Sequence, residues 1–183
     1  MAMNLANKIT LARVFMIPIF LFVYMVKPFG QTPSLWVALI IFSVAAITDA
    51  IDGYVARQWK LESNFGRLMD PLADKLLVCS AMVAFVASGS LPAWAVIILI
   101  SREFYISGIR QLALTSGKVL AASGSAKFKT IFQITLIIYV LLPIQMFRFP
   151  WLVMLLIIIT TLASVFSAAE YTVKNKDVIG FLA

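Results

Sequence analysis

The sequence predicts an all-α membrane protein, a bundle of six transmembrane helices, and three observations predict it. The chain of 183 residues is 62% hydrophobic, with a mean hydropathy of +1.00. Only 13% of it is charged, about half the fraction a soluble domain carries. Its apolar residues fall into six runs, most of them near the roughly 20 residues that an α-helix needs to cross a bilayer.

The first run spans residues 9–26 and contains Pro18. The second spans 35–57 and the third 67–88. The fourth spans 92–115 and opens on Pro92, placed in the first turn, where a missing N–H costs nothing. The fifth spans 126–142 and the sixth 151–173. The links are short, at 27–34, 58–66, 89–91, 116–125 and 143–150. None has the length or composition of an interdomain linker, and no internal repeat or low-complexity tract interrupts the pattern. Residues 1–183 therefore read as a single membrane domain. A cleavable signal peptide is not expected, because no A-x-A-like site follows a short apolar region.

Basic residues orient the spans. An even number of spans puts both termini on one side. That side collects Lys8, Arg13, Arg57, Lys60, Arg67, Lys75, Arg110, Lys118, Lys127, Lys129, Lys174 and Lys176, against Lys27 and Arg148 opposite. The bias places both termini at the cytoplasmic face of the membrane. Trp36, Trp94 and Trp151 open spans two, four and six at the far interface, as an aromatic belt requires.

The net charge of +7 points to anionic lipid or phosphate as a partner. No interleaving of aromatic and basic residues suggests nucleic acid, and none is expected to bind. One cysteine, Cys79, rules out a disulfide within the chain. The absence of histidine rules out imidazole ligands and imidazole acid–base chemistry. Carboxylates are left to hold a hard cation.

Four carboxylates are spaced for that purpose. Residues 49–74 read D-x2-D-G-x2-A-R-x8-G-x3-D-x3-D, with Asp49, Asp52, Gly53, Ala56, Arg57, Gly66, Asp70 and Asp74 at the fixed positions. Ionised side chains within membrane cost several kcal/mol each, of order 3 at a span centre, and in general mark function. Asp49 and Asp52, three apart, share a helical face, as do Asp70 and Asp74, four apart. The link 58–66 is short enough to fold the third helix beside the second, so that the two pairs converge. Gly53 and Ala56 allow a bulky ligand close to the backbone, and Arg57 is placed to reach a phosphate. Converging carboxylates repel unless a cation sits between them. All-oxygen ligands favour Mg²⁺, Mn²⁺ or Ca²⁺, and two such ions suit phosphoryl transfer. Two other readings stand beside this one: structural ion pairs with Arg57, Arg67 and Lys75, or a pathway for protons or cations.

The run from Asp49 to Asp74 resembles the signature of the CDP-alcohol phosphatidyltransferases at every fixed position. The resemblance implies a six-helix membrane bundle, usually a homodimer. It implies that Asp49, Asp52, Asp70 and Asp74 hold two divalent cations, Mg²⁺ or Mn²⁺, and that Asp74 is the base on the acceptor hydroxyl. It implies that Gly53, Ala56 and Arg57, with Asp49, Asp52 and Gly66, form the site for the CDP-linked donor.

A second cluster bears on the acceptor: Arg102, Glu103, Arg110, Lys118, Lys127 and Lys129. Arg102 and Arg110, eight apart, roughly share a helical face. A basic pocket of this kind suits a phosphorylated alcohol. Arg110 and Lys127 are the first candidates for its phosphate, with Arg102 and Lys75 behind them. Lys118 and Lys129 are expected to be ordinary charges at the cytoplasmic interface, and Arg102 has Glu103 as a rival partner. The chain also resembles the bacterial phosphatidylglycerolphosphate synthases within that family. The matching stretches are N-K-I-T-L-A-R at 7–13, D-P-L-A-D-K-L at 70–76, S-R-E-F at 101–104, G-I-R at 108–110 and A-K-F-K-T at 126–130. That resemblance implies CDP-diacylglycerol as donor and glycerol 3-phosphate as acceptor, and Thr10 and Arg13 are expected at the acceptor entrance. Where those enzymes read N-I-P-N, this chain has N-L-A-N at 4–7, which removes a proline ahead of the first helix.

Overall fold

The computed structural model describes residues 5–59, 64–115, 125–143, 149–176 and 180. Within these, the side chains of 5–10, 49–59, 64–74, 112, 114, 115, 125 and 126 lie outside the description. The described residues form six α-helices and no strand: α1 (Leu5–Val26), α2 (Gln31–Trp59), α3 (Asn64–Ala87), α4 (Ala93–Thr115), α5 (Ser125–Leu141) and α6 (Pro150–Lys174). Each coincides with one expected span to within four residues at either end.

The differences lie at the helix starts. Helix α2 begins at Gln31 rather than residue 35, with Pro33 in its first turn, where the backbone N–H groups have no helical acceptor anyway. Pro92 precedes α4 instead of lying inside it, and its carbonyl accepts the N–H of Val96 at 3.4 Å. Gly66, expected in the link, falls in the first turn of α3. Helical backbone therefore extends on both sides of residues 60–63, which lie outside the described residues.

The chain forms two compact units, the first running to Ser88 together with Leu141–Pro143, the second made of the remainder. In the first unit, α1 packs against both α2 and α3. Phe20 stacks on Tyr24 at 6.0 Å between ring centroids and meets Phe42 of α2 at 6.1 Å. Tyr24 turns its edge to Phe85 of α3 at 5.1 Å, and its hydroxyl bonds Ser88 Oγ at 2.8 Å. Buried Ala38, Ala45, Ala81 and Ala84 let the helices approach closely around these rings.

The turn between α1 and α2 is tight. Pro28 stops α1, and Lys27 takes the left-handed conformation at φ 54°. The N–H of Gly30 bonds the Lys27 carbonyl, and the buried Ser34 hydroxyl accepts the N–H of Phe29 at 3.2 Å. A side chain at such a φ costs on the order of 1 kcal/mol. Lys27→Gly is therefore expected to raise stability by about 0.5–1 kcal/mol, measured as the unfolding midpoint in detergent. An unchanged or lowered midpoint would show that the turn carries no such strain.

In the second unit, α6 packs on α4. Its buried stripe is small and polar: Thr160, Thr161, Ser164 and Ser167 lie between Ile157 and Tyr171. This spacing of three and four fits one helical face. Small hydroxylated residues permit close helix packing and can bond across an interface, as Thr160 Oγ1 does to the Phe132 carbonyl at 3.4 Å. Phe149 caps α6, Pro150 is its first residue, and Asn175 ends it by returning its side-chain amide to the Tyr171 carbonyl at 2.8 Å.

The outward faces are apolar. Phe15, Ile19 and Phe22 on α1, Ile40, Val44 and Ile47 on α2, and Leu162, Val165 and Phe166 on α6 are all exposed. So are Trp36, Trp94 and Trp151. Among the described residues, two helical stretches are long and apolar enough to cross a membrane, Gln31–Thr48 of α2 and Pro150–Lys174 of α6.

Candidate functional site

The aspartate signature lies on two helices of the first unit. Asp49, Asp52, Gly53, Ala56 and Arg57 occupy the last three turns of α2, and Gly66, Asp70 and Asp74 the first three turns of α3. The helical backbone supports the expected spacing, with Asp49 and Asp52, and Asp70 and Asp74, each about one turn apart. All eight side chains lie outside the described residues. Among the described residues, no group of three or more acidic, cysteine or histidine side chains could hold a metal ion. The donor set itself suits a hard divalent cation, since carboxylates are the acidic groups that the first unit offers there.

Lys75 follows directly on α3 and is half-buried. Arg13, from the N-terminal half of α1, is 3% exposed.

The acceptor candidates on α4 and α5 belong to the second unit, where the structure resolves a polar cluster. Arg102 donates to Ser167 Oγ at 2.8 Å and pairs with Glu103 at 3.4 Å. Lys129 pairs with the same Glu103 carboxylate. The side chains of Arg102, Glu103 and Lys129 are 9%, 13% and 6% exposed, so this is an ion triad largely withdrawn from solvent. Its net charge is +1. Arg110, two turns further along α4, donates to the Tyr171 hydroxyl at 3.4 Å and sets its guanidinium 5.4 Å from the centre of that ring. Arg102 and Arg110 thus both meet α6, in keeping with their expected common face.

One expectation is corrected. Lys129 is not an ordinary interfacial charge: it is buried and paired, while Lys127, two residues earlier, is exposed. A two-residue step rotates a helix by about 200° and carries the side chain to the other face. The signal was available in the sequence, because Lys129 and Gln133 extend the buried stripe of Leu136, Ile137 and Val140 at helical spacing. Arg102 meets Glu103, the alternative partner that the sequence named for it. Tyr171 and Ser167, which fix the two arginines, were not anticipated. They lie on α6, where sequence reading registered an apolar span.

The described residues are helical, with apolar outward faces, small polar residues at helix contacts and one acid-rich signature, features of a helical membrane protein. Residues 3–178 match the CDP-alcohol phosphatidyltransferase family. The CDP-diacylglycerol–glycerol-3-phosphate 3-phosphatidyltransferase of Bacillus subtilis is 40% identical over 189 residues, covering 96% of this chain and 97% of that protein. An enzyme of the same name from Cereibacter sphaeroides is 34% identical over 73% of this chain and 61% of its own length. Another from Rickettsia typhi is 32% identical over 71% of each. The chain belongs to the CDP-alcohol phosphatidyltransferase family. Members of that family are membrane enzymes and generally depend on divalent metal ions.

Proposed function

We propose that this chain transfers the phosphatidyl group of CDP-diacylglycerol to sn-glycerol 3-phosphate, giving phosphatidylglycerol phosphate and CMP. The observation that carries this reading is the 40% identity over almost the whole of both chains to an enzyme bearing that name. The complete aspartate signature in helical register on α2 and α3 agrees with it.

The chemistry assigned to the residues is as follows. The acceptor hydroxyl attacks the phosphorus that bears the lipid, the bond from that phosphorus to the CMP oxygen breaks, and Asp74 takes the hydroxyl proton. Asp49, Asp52, Asp70 and Asp74 hold two divalent cations, Mg²⁺ or Mn²⁺. Such ions, when bound, neutralise the diphosphate and the charge that develops on the leaving group. Gly53, Ala56 and Gly66 leave room for the donor, and Arg57 adds a cation beside it. The acceptor phosphate falls to Arg110 and Lys127, with Arg102 and Lys75 contributing. Arg110 is favoured because its resolved contacts, a hydroxyl and a ring face, are neutral, and it has no acid partner among the described residues. Arg102 and Lys129 already share Glu103.

The six helices cross the cytoplasmic membrane as one domain, residues 1–183, with the aspartates towards the cytoplasm, and the protein works as a homodimer. The apolar outward faces and the strong bias of basic residues support that placement. Acyl chains of the donor lie against the apolar helix faces.

Two experiments test the site. Arg110→Ala is expected to raise the KM for glycerol 3-phosphate at least about tenfold, the scale of one lost charge-assisted hydrogen bond, and to leave the KM for CDP-diacylglycerol nearly unchanged. Equal rises in both would assign Arg110 a structural role. Treatment with EDTA is expected to abolish CMP release, and Mg²⁺ or Mn²⁺ to restore it. Full activity after exhaustive chelation would overturn the assignment of the aspartates.

A further inference from the structure

Arg13 is a cation 3% exposed in the apolar first unit, on a helix that carries no acidic residue. A buried charge of this kind is strongly unfavourable unless a partner of opposite sign lies beside it. Helix α1 packs on α2 and α3, and both of these carry carboxylates.

Resolved contacts fix the register. Helices α1 and α2, joined by the four-residue turn at 27–30, run antiparallel, and Phe20 faces Phe42. Moving seven residues back from Phe20 reaches Arg13, and seven residues forward from Phe42 reaches Asp49. Helix α3 reverses again and follows the direction of α1, with Tyr24 against Phe85. Eleven residues back from Tyr24 is Arg13, and eleven back from Phe85 is Asp74. At 1.5 Å per residue on every helix, Arg13, Asp49 and Asp74 stand within about one turn of the same level. Asp52 and Asp70 stand about one turn further out. The fifth acid of residues 1–88, Glu62, lies outside the described residues.

We propose that Arg13 is a positioning residue, the buried counter-charge of Asp49 and Asp74. The inference rests on the assignment of the aspartate site above. Two carboxylates brought together without a cation between them repel. A guanidinium at their level offsets that repulsion and fixes their spacing through its rigid fork of donors.

The test uses the full chain in detergent and begins without metal. In EDTA, Arg13→Gln is expected to lower the unfolding midpoint clearly, and the same change in an Asp49→Asn/Asp74→Asn background to lower it little or raise it. Additive effects would overturn the proposal. If Arg13→Gln alone fails to fold, recovery of folding in the triple variant supports the pairing and failure to recover contradicts it. The second readout is Mn²⁺ titration. Removing a positive charge beside two carboxylates should tighten Mn²⁺ binding by about tenfold or more, while Arg13→Lys stays near wild type. Unchanged or weakened binding in a folded Arg13→Gln protein would contradict the proposal, because a structural arginine has no reason to oppose a cation. Should the wild type bind no Mn²⁺ while the midpoints remain coupled, the counter-charge stands and the metal assignment falls.

Discussion

Asp74→Asn is expected to lower CMP release by at least about a thousandfold while the protein still folds. Two functions are assigned to this one carboxylate: a share in holding a divalent cation, and acceptance of the proton from the attacking hydroxyl. General-base catalysis alone is worth roughly a hundred- to ten-thousandfold. The amide has nearly the same shape as the carboxylic acid, so packing of the third turn of α3 is preserved. It cannot accept the proton at any working pH, and it is a weaker ligand for a hard cation. Raising the Mg²⁺ concentration separates the two functions. Saturating metal should repair the loss due to ligation and leave the loss due to the base. Activity within about tenfold of wild type under saturating Mg²⁺ would remove Asp74 from the role of base.

Glu103→Ala is expected to produce the largest loss of stability, about 3–5 kcal/mol. One carboxylate serves both Arg102 and Lys129, and all three side chains are largely buried. Without it, two cations face each other in the low dielectric between helices, with Ser167 the remaining resolved partner of Arg102. Lys129→Met should cost less, because it leaves Arg102 and Glu103 as a neutral pair and fills the lysine's volume with an apolar chain. The order of the two unfolding midpoints checks this. A Glu103→Ala protein as stable as Lys129→Met would show that the triad does not act as a unit. The same change probes the acceptor site, since Arg110 is held by Tyr171 rather than by Glu103 and its orientation should survive.

Most of the fold was legible because membrane-length apolar runs are long and separated by short polar links. All six helices follow from that periodicity, and errors are confined to first turns such as that of α2, where Pro33 is compatible with helix but reads as a break. The aspartate signature was legible for a related reason: charged residues are so scarce in this chain that their spacing stands out. The second cluster was only half legible. Arg102 and Glu103 are adjacent in sequence, and their pairing was a stated alternative. Lys129 and Tyr171 reach the cluster from α5 and α6, and such partners follow from helix rotation and packing rather than from local spacing. The burial of Arg13 was hidden for a different reason. A basic residue near the start of a first span looks like an orienting charge, and the packing of α1 against α2 and α3 buries it instead.

The central claim is the reaction together with its acceptor, and one measurement tests it most directly. Purified protein in detergent, supplied with CDP-diacylglycerol and Mg²⁺, is assayed for CMP release with glycerol 3-phosphate, inositol phosphate, serine or phosphatidylglycerol as acceptor. The account predicts release with glycerol 3-phosphate alone. Release with a different acceptor would preserve the chemistry of the aspartates and contradict the assignment of the basic residues on α4 and α5. No release with any of them from well-folded protein, accompanied by cation flux in liposomes, would contradict the account as a whole.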